Sequence, residues 1–198
     1  TMGRHLYPGS PWIARHLLRK TDRLTAIELH PQDFERLRVL FSGDFQVRTI
    51  HLDGWLAPGA QVPPKEKRGL VLVDPPFEQA GEFDRLLDGA AKAHRRWPGG
   101  IQALWYPVKD RKAVEAFRDG LKTSGIPKIL DLSLTVRAAG AVATLDGCGM
   151  AVINPPFVLE AEMRIILPAL SRLLGEGKGA SWDAAWLGSG PVNVIEMV

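Results

Sequence analysis

Amphipathic helical segments alternate with short apolar strand-like segments along most of the chain, and this order constrains the fold more than any other feature. Apolar residues spaced at i, i+3, i+4 and i+7 predict a helix at 82–97, between strand-like runs at 69–73 and 101–106. Strands joined through helices form sheets that are largely parallel, with right-handed crossovers. The sequence therefore predicts an α/β fold.

The other segments complete this alternation. Ser10 is a good helix N-cap, and Pro11 suits the first helical position that follows it. The run at 69–73 is almost purely apolar, as in a strand buried on both faces, whereas 128–136 alternates apolar and polar residues and predicts an edge or antiparallel strand. Further helices are predicted at 11–20, 31–41, 111–122 and 159–174, and further strands at 24–29, 45–52, 148–153 and 182–187.

Length and composition favour one globular domain over 1–198. The chain has 198 residues, of which 45% are hydrophobic, and it carries a single cysteine, Cys148. One cysteine excludes an internal disulfide framework and a cysteine-rich zinc site, and the scattered histidines predict no metal. No apolar run approaches the length of a membrane span, and the start of the sequence has no secretory signature, so we expect a cytoplasmic protein without a membrane partner.

The positive charges are unevenly distributed. Lysine and arginine total 25 against 22 acidic residues, a formal net charge of +3, and the excess lies before residue 151. Basic clusters suit a polyanion because phosphate contacts release counterions, although a solvated helix face is an equally ordinary explanation. The clusters lie at 15–23, 65–68, 92–96 and 109–112.

Three acidic residues follow successive predicted strands. Glu28, Asp53 and Asp74 each stand where a strand ends. Ligands of such sheets bind at the carboxyl ends of the strands, and an acid after the second strand commonly binds the ribose hydroxyls of a cofactor. Each acid alone could be a turn or cap residue, but three in succession favour a binding site.

The motif DPPF at 74–77 carries the predicted chemistry. A carboxylate and a backbone carbonyl can both accept hydrogen bonds from the exocyclic amine of a nucleobase, which exposes the nitrogen lone pair for transfer of a methyl group. Pro75 and Pro76 would hold this turn rigid, and Phe77 would offer a face for the base. Asp74, Pro75 and Phe77 are therefore the predicted catalytic residues.

A second copy of the motif, NPPF at 154–157, comes late in the chain. It follows the predicted antiparallel hairpin instead of the third strand-end acid. We expect this copy to be structural, so that Phe157→Ala would mainly reduce stability.

Asp-Pro-Pro-Phe after an apolar strand resembles the catalytic motif of class I S-adenosylmethionine-dependent amino methyltransferases. A longer series of motifs is similar to the RlmJ family, whose members methylate the adenine N6 of 23S ribosomal RNA. The motifs are YPGSP at 7–11, ELHP at 28–31, DG at 53–54, RGLVLVDPPF at 68–77, ALWYP at 103–107 and GMAVINPP at 149–156.

The resemblance implies a Rossmann-like class I methyltransferase sheet, mostly parallel with an antiparallel edge hairpin, and it implies ribosomal RNA as the partner. It assigns Asp74 to the adenine amine and Phe77 to the base, where family members commonly have tyrosine. Glu28 would contact the ribose of S-adenosylmethionine, and Asp53 with Gly54 its adenine end. The residues implied to contact this cofactor are Ser10, Glu28, Asp53, Gly54 and Asp74.

Family members carry a further segment before YPGSP, with the first strand and a glycine-rich methionine-binding loop. We therefore expect a chain that lacks this segment and its strand, with exposed apolar surface that could self-associate through a sheet edge. Residues 1–6 would be foreign and 188–198 a loosely held tail. Two alternatives stay open: a guanine-N2 ribosomal RNA methyltransferase, and a catalytically incomplete fragment that binds RNA.

Overall fold

The computed structural model describes residues 7–66, 68–138 and 144–188. The chain divides into two compact units, with the boundary between Ala60 and Gln61. The predicted foreign residues 1–6 and almost all of the predicted tail lie outside the described residues. The single domain predicted for 1–198 stays a prediction.

The first unit is built on two parallel strands. β1 and β2 pair from Leu24 beside Val47 to Glu28 beside His51. A parallel pair needs a crossover, and the helix between the two strands supplies it. The elements are α1 (Ser10–Leu17), β1 (Leu24–Glu28), α2 (Pro31–Leu40), β2 (Val47–His51), a 3-10 turn (Gly54–Leu56) and the one-turn helix α3 (Ala57–Ala60).

The second unit holds a five-stranded sheet in the order β3-β4-β6-β5-β7. The predicted hairpin of β5 and β6 is present and antiparallel. Its elements are β3 (Leu70–Val73), α4 (Glu82–Arg96), β4 (Ile101–Val108), α5 (Arg111–Thr123), β5 (Ile129–Thr135), β6 (Gly147–Ile153), α6 (Leu159–Leu174) and β7 (Ser181–Trp186).

Strand pairing in this sheet is less parallel than the sequence predicts. Only β3 and β4 pair in parallel, while β6 pairs antiparallel with both β4 and β5, and β7 pairs antiparallel with β5. β3, β4 and β5 nevertheless all run in one direction, because β6 lies between two of them. β7 adds outside β5, so the hairpin lies one strand inside the edge.

Different helices cover the two faces of this sheet. On one face, Phe117 of α5 packs edge-on against Tyr106 of β4, with ring centroids 5.3 Å apart. On the other face, Leu167 of α6 packs against Leu130 and Leu132 of β5. Side chains of a strand alternate between faces, and each helix covers one of these two sets.

β3 is more exposed than its apolar sequence predicts. Leu70 and Leu72 are 62% and 44% exposed. β3 is an outer strand of the described sheet, and these two residues alternate on one face. The prediction of burial on both faces is therefore wrong for this strand, whereas the expected exposed apolar surface is present.

Within the described ranges, no helix is long and apolar enough to cross a membrane. The same part of the chain contains no group of three or more histidine, cysteine, aspartate or glutamate side chains placed to hold a metal ion.

Candidate active site

The DPPF turn follows directly from the end of β3. Val73 is the last residue of the strand, and the Asp74 side chain is exposed to solvent beyond it. Pro75 is buried, which anchors the turn. Partial burial among neighbouring protein atoms raises the pKa of the Asp74 carboxyl above its ordinary value. The turn thus presents a carboxylate that is accessible and more basic than a fully solvated one.

Phe77 closes the turn in a strained backbone conformation. Its φ is +53°, in the left-handed region that bulky side chains rarely adopt. Such a conformation costs of order 1–3 kcal/mol and is concentrated at functional sites. The strain directs the Phe77 ring to a half-buried position at the end of the sheet.

Aromatic neighbours on both faces of the sheet hold the Phe77 ring. The ring centroid lies 4.9 Å from that of Phe83 in α4 and 5.9 Å from that of Trp105 in β4. Phe83 also packs against Phe117, at 5.2 Å. The sequence reasoning missed Phe83 and Trp105, although the aromatic pair at 105–106 in a predicted strand already placed one ring on each face.

The thiol of Cys148 lies close enough to the DPPF turn for the charge of Asp74 to influence its pKa. Burial raises the pKa of its thiol, a hydrogen bond from Trp105 lowers it, and the charge of Asp74 raises it. The net shift is upward, so the thiol stays protonated and is a poor nucleophile. Cys148 is therefore a weak candidate for a nucleophile beside the turn.

The acids of the first unit lie at the carboxyl edge of its sheet. Glu28 is the last residue of β1, and its Oε1 accepts a 2.8 Å hydrogen bond from the His30 amide. Asp53 follows β2, and its Oδ1 accepts a 2.9 Å bond from the Trp55 amide. The Leu52 amide also donates to the Glu28 carbonyl at 3.2 Å. Both carboxylates keep one oxygen without a hydrogen bond to a described residue.

Gly54 and Ser10 complete the set that the resemblance assigns to the cofactor. A side chain at Gly54 would meet nothing within 4 Å, so open space adjoins Asp53. Ser10 is exposed and is the first residue of α1, not its N-cap: Gly9 occupies that position and makes no side-chain cap. Since Pro11 fits either of the first two helical positions, the helix begins one residue earlier than predicted.

The predicted site residues thus fall into two groups. Glu28, Asp53 and Gly54 share one edge of the first unit's sheet, and Ser10 lies in the same unit. Asp74, Pro75 and Phe77 form one turn of the second unit.

The late NPPF motif has a structural role at its first residue but not at its last. Asn154 Nδ2 donates hydrogen bonds to the carbonyls of Pro98 at 2.6 Å and Gly100 at 2.9 Å, which ties the end of β6 to the turn before β4. Phe157, by contrast, is 98% exposed. The prediction that Phe157→Ala would reduce stability is therefore wrong, because this ring buries no surface.

Comparison with known proteins gives concordant matches. The family model described as ribosomal RNA large subunit methyltransferase D, RlmJ, matches residues 2–188. The chain is 42% identical to ribosomal RNA large subunit methyltransferase J of Haemophilus influenzae over 182 residues, which are 91% of this chain and 64% of that protein. The protein of the same name from Escherichia coli is 42% identical over 180 residues, 89% of this chain and 64% of its own length.

A solved structure matches as well. A crystal structure of a Legionella pneumophila protein superimposes with a TM-score of 0.83 at 30% identity, covering 91% of this chain and 66% of that one. The chain therefore spans slightly less than two thirds of the length of these relatives.

Proposed function

The chain belongs to the RlmJ family of ribosomal RNA methyltransferases, and on that premise we propose that it transfers a methyl group from S-adenosylmethionine to the exocyclic N6 amine of an adenine in 23S ribosomal RNA. The observation that carries the proposal is the exposed Asp74 carboxylate, held by a diproline turn beside a strained aromatic residue.

Asp74 activates the amine in this proposal. The lone pair of an adenine amine is delocalised into the ring, which makes the nitrogen a poor nucleophile. The Asp74 carboxylate and a carbonyl of the diproline turn accept the two N–H hydrogen bonds, so that the lone pair becomes available to a methyl group. The raised pKa of Asp74 strengthens its hydrogen bond to the amine. The carboxylate also stabilises the positive charge that develops on nitrogen.

Phe77 holds the base. An extruded purine stacks on an aromatic face, and such stacking contributes about 1–3 kcal/mol per base. The contacts of Phe77 with Phe83 and Trp105 keep its ring in place before the base arrives. Proline at 75 and 76 removes two backbone donors from the turn and limits its motion, so positioning is established before binding.

The first unit offers groups that fit S-adenosylmethionine. Glu28 and Asp53 each retain a carboxylate oxygen that makes no hydrogen bond to a described residue, and Gly54 leaves open space beside Asp53. Ser10 adds a hydroxyl from α1. When bound, the cofactor supplies the electrophilic methyl group.

The RNA substrate, the location in the cell and self-association are proposed on further grounds. Ribosomal RNA as substrate accounts for the basic clusters, of which Lys109, Arg111 and Lys112 lie on the loop and helix that follow β4. The substrate also makes the cytoplasm the proposed location. The exposed Leu70 and Leu72 on the outer strand β3 support self-association through that edge, which sedimentation at two protein concentrations tests.

Methylation of unmodified 23S ribosomal RNA tests the function. Nucleoside mass spectrometry after reaction with S-adenosylmethionine should detect N6-methyladenosine with the wild-type protein and none with Asp74→Asn. Detection of N2-methylguanosine without N6-methyladenosine would contradict methylation of adenine and favour a guanine-N2 methyltransferase.

Calorimetry with S-adenosylmethionine supplies the control. The Asp74→Asn variant should bind the cofactor nearly as well as the wild type, because most of the proposed contacts lie in the first unit. Absence of cofactor binding by the wild-type chain would contradict the proposed function and favour the alternative of a catalytically incomplete fragment.

A further inference from the structure

A cleft lies between the amino-terminal ends of α4 and α5, beside the DPPF turn. Its volume is about 420 Å³, within the range of small-molecule sites. The half-buried Phe77 and Phe83 contribute aromatic walls above the buried Phe117, and the loop after β4 closes one side with Pro107 and Lys109. Asp74 is not among the residues that line it, so the cleft shares a wall with the proposed reacting site without containing the catalytic carboxylate.

The polar groups of this cleft are mainly hydrogen-bond acceptors. Glu82 is 4% exposed, and its carboxylate accepts a long hydrogen bond, 3.3 Å from the Gln79 amide. Asp84 is exposed and makes no side-chain hydrogen bond or ion pair with the described residues. Asp110 Oδ1 caps α5 by accepting from Lys112 and Ala113. The buried Glu82 and the free Asp84 therefore have unused acceptor capacity.

The charge balance of the lining argues against a phosphate inside the cleft. Glu82, Asp84 and Asp110 face a single cation among the lining residues, Lys109. Aromatic walls with carboxylate acceptors instead suit an unpaired base, which stacks on the rings and donates N–H bonds from its exocyclic amine. Lys109, exposed at the rim, is placed for the phosphate of the same nucleotide.

We propose that this cleft binds one unpaired nucleotide that flanks the reacting adenine, and that Asp84 selects a base with an exocyclic amine over uracil. The inference rests on the proposed function and adds a sequence preference to it. Cytosine presents an amine at the position where uracil presents a carbonyl oxygen, and that oxygen would face carboxylates that cannot donate to it.

Binding of two single-stranded RNA probes tests the preference. Both are fluorescein-labelled heptamers with a central adenine, flanked on each side by cytosines in one probe and by uracils in the other. Fluorescence anisotropy should give the wild-type protein a roughly threefold to tenfold lower Kd for the cytosine probe. Asp84→Asn should abolish this preference, because an asparagine amide also donates to a uracil oxygen.

Asp88→Asn is the matched control. Asp88 is exposed on α4, one turn after Asp84, and does not line the cleft, so this variant should keep the wild-type preference. Equal affinity of the wild-type protein for the two probes, absence of RNA binding, or equal behaviour of the two variants would overturn the inference.

Methylation separates this inference from the proposed function. If the wild type methylates 23S ribosomal RNA while Asp84→Asn leaves probe preference unchanged, the flanking site is wrong and the function stands. If Asp84→Asn stops methyl transfer completely with probe binding unchanged, the cleft holds the reacting base, and the flanking site is again wrong.

Discussion

The hydroxyl of Tyr106 donates a 2.7 Å hydrogen bond to Asp131 Oδ1 inside the second unit, joining β4 to β5 across the intervening strand β6. Tyr106 is fully buried, and its burial beside this carboxylate raises the pKa of its hydroxyl. Arg118 of α5 donates to Asp131 Oδ2 at 2.8 Å, and a side chain at Gly149 would overlap the Tyr106 ring. The network fixes the strand that carries Trp105 behind Phe77.

Tyr106→Phe should therefore destabilise the protein. The change leaves the buried Asp131 with one hydrogen-bond donor fewer, which costs about 1.5–3 kcal/mol for a charged acceptor. Urea unfolding followed by circular dichroism measures the loss. Tyr7→Phe is the matched control, because Tyr7 is 91% exposed and its substitution should change stability by less than about 0.5 kcal/mol. Equal effects of the two variants would contradict a role for the network.

The two halves of the NPPF motif should respond differently to alanine. Asn154→Ala removes two hydrogen bonds and places alanine at a φ of +52°, so we expect a loss of about 2–3 kcal/mol in the free energy of unfolding. Phe157→Ala should change it by less than about 0.5 kcal/mol, because the ring is exposed. Thermal and urea unfolding compare the two, and a larger loss for Phe157→Ala would contradict the assignment.

Phe77 should matter more for the substrate than for the fold. Phe77→Ala removes a stacking face worth about 1–3 kcal/mol, which corresponds to a fall of roughly 5-fold to 150-fold in kcat/KM for RNA. Phe77→Tyr keeps the face and should retain most of the activity. Steady-state methylation together with a melting curve for each variant separates the two effects. A fall in melting temperature without a fall in kcat/KM would remove Phe77 from the site.

The upward pKa shift of Asp74 predicts a direction for pH dependence. The proposed methyl transfer uses the ionised carboxylate, so kcat/KM should fall as pH drops through a pKa above the value of about 3.9 for a solvated aspartate. A ¹³C NMR titration of carboxyl carbons locates this pKa, with the Asp74 resonance identified by its absence in Asp74→Asn. A midpoint at or below the solvated value would contradict the structural environment described for this residue.

The raised pKa of Asp74 also predicts how the stability of the fold depends on pH. A carboxyl whose pKa is raised in the folded state favours folding below its unfolded pKa and loses that contribution as pH rises through the folded value. Asp74→Asn should therefore be at least as stable as the wild type at neutral pH, and any advantage should shrink in acid. Urea midpoints at pH 7 and pH 4 measure the difference.

Local patterns in the sequence predicted most of the helices and strands and the position of the DPPF turn. The helix at 159–174 and the strand starting at Leu24 appear in the structure at the predicted positions, because apolar periodicity and proline are properties of neighbouring residues. Asp74 follows the end of its strand as predicted, since an apolar run followed by two prolines cannot continue in a sheet.

Packing between residues far apart in the chain decided the features that local sequence patterns did not predict. The insertion of β6 between β4 and β5, the exposed face of β3 and the full exposure of Phe157 all depend on which segments meet across the fold. The same holds for the rings that brace Phe77 and for the acceptor-lined cleft beside it. The sequence by itself determined which polar and aromatic groups the chain can offer for the proposed methyl transfer. Only the tertiary structure decided which of them lie together, because burial and contact are set by residues far apart in the chain.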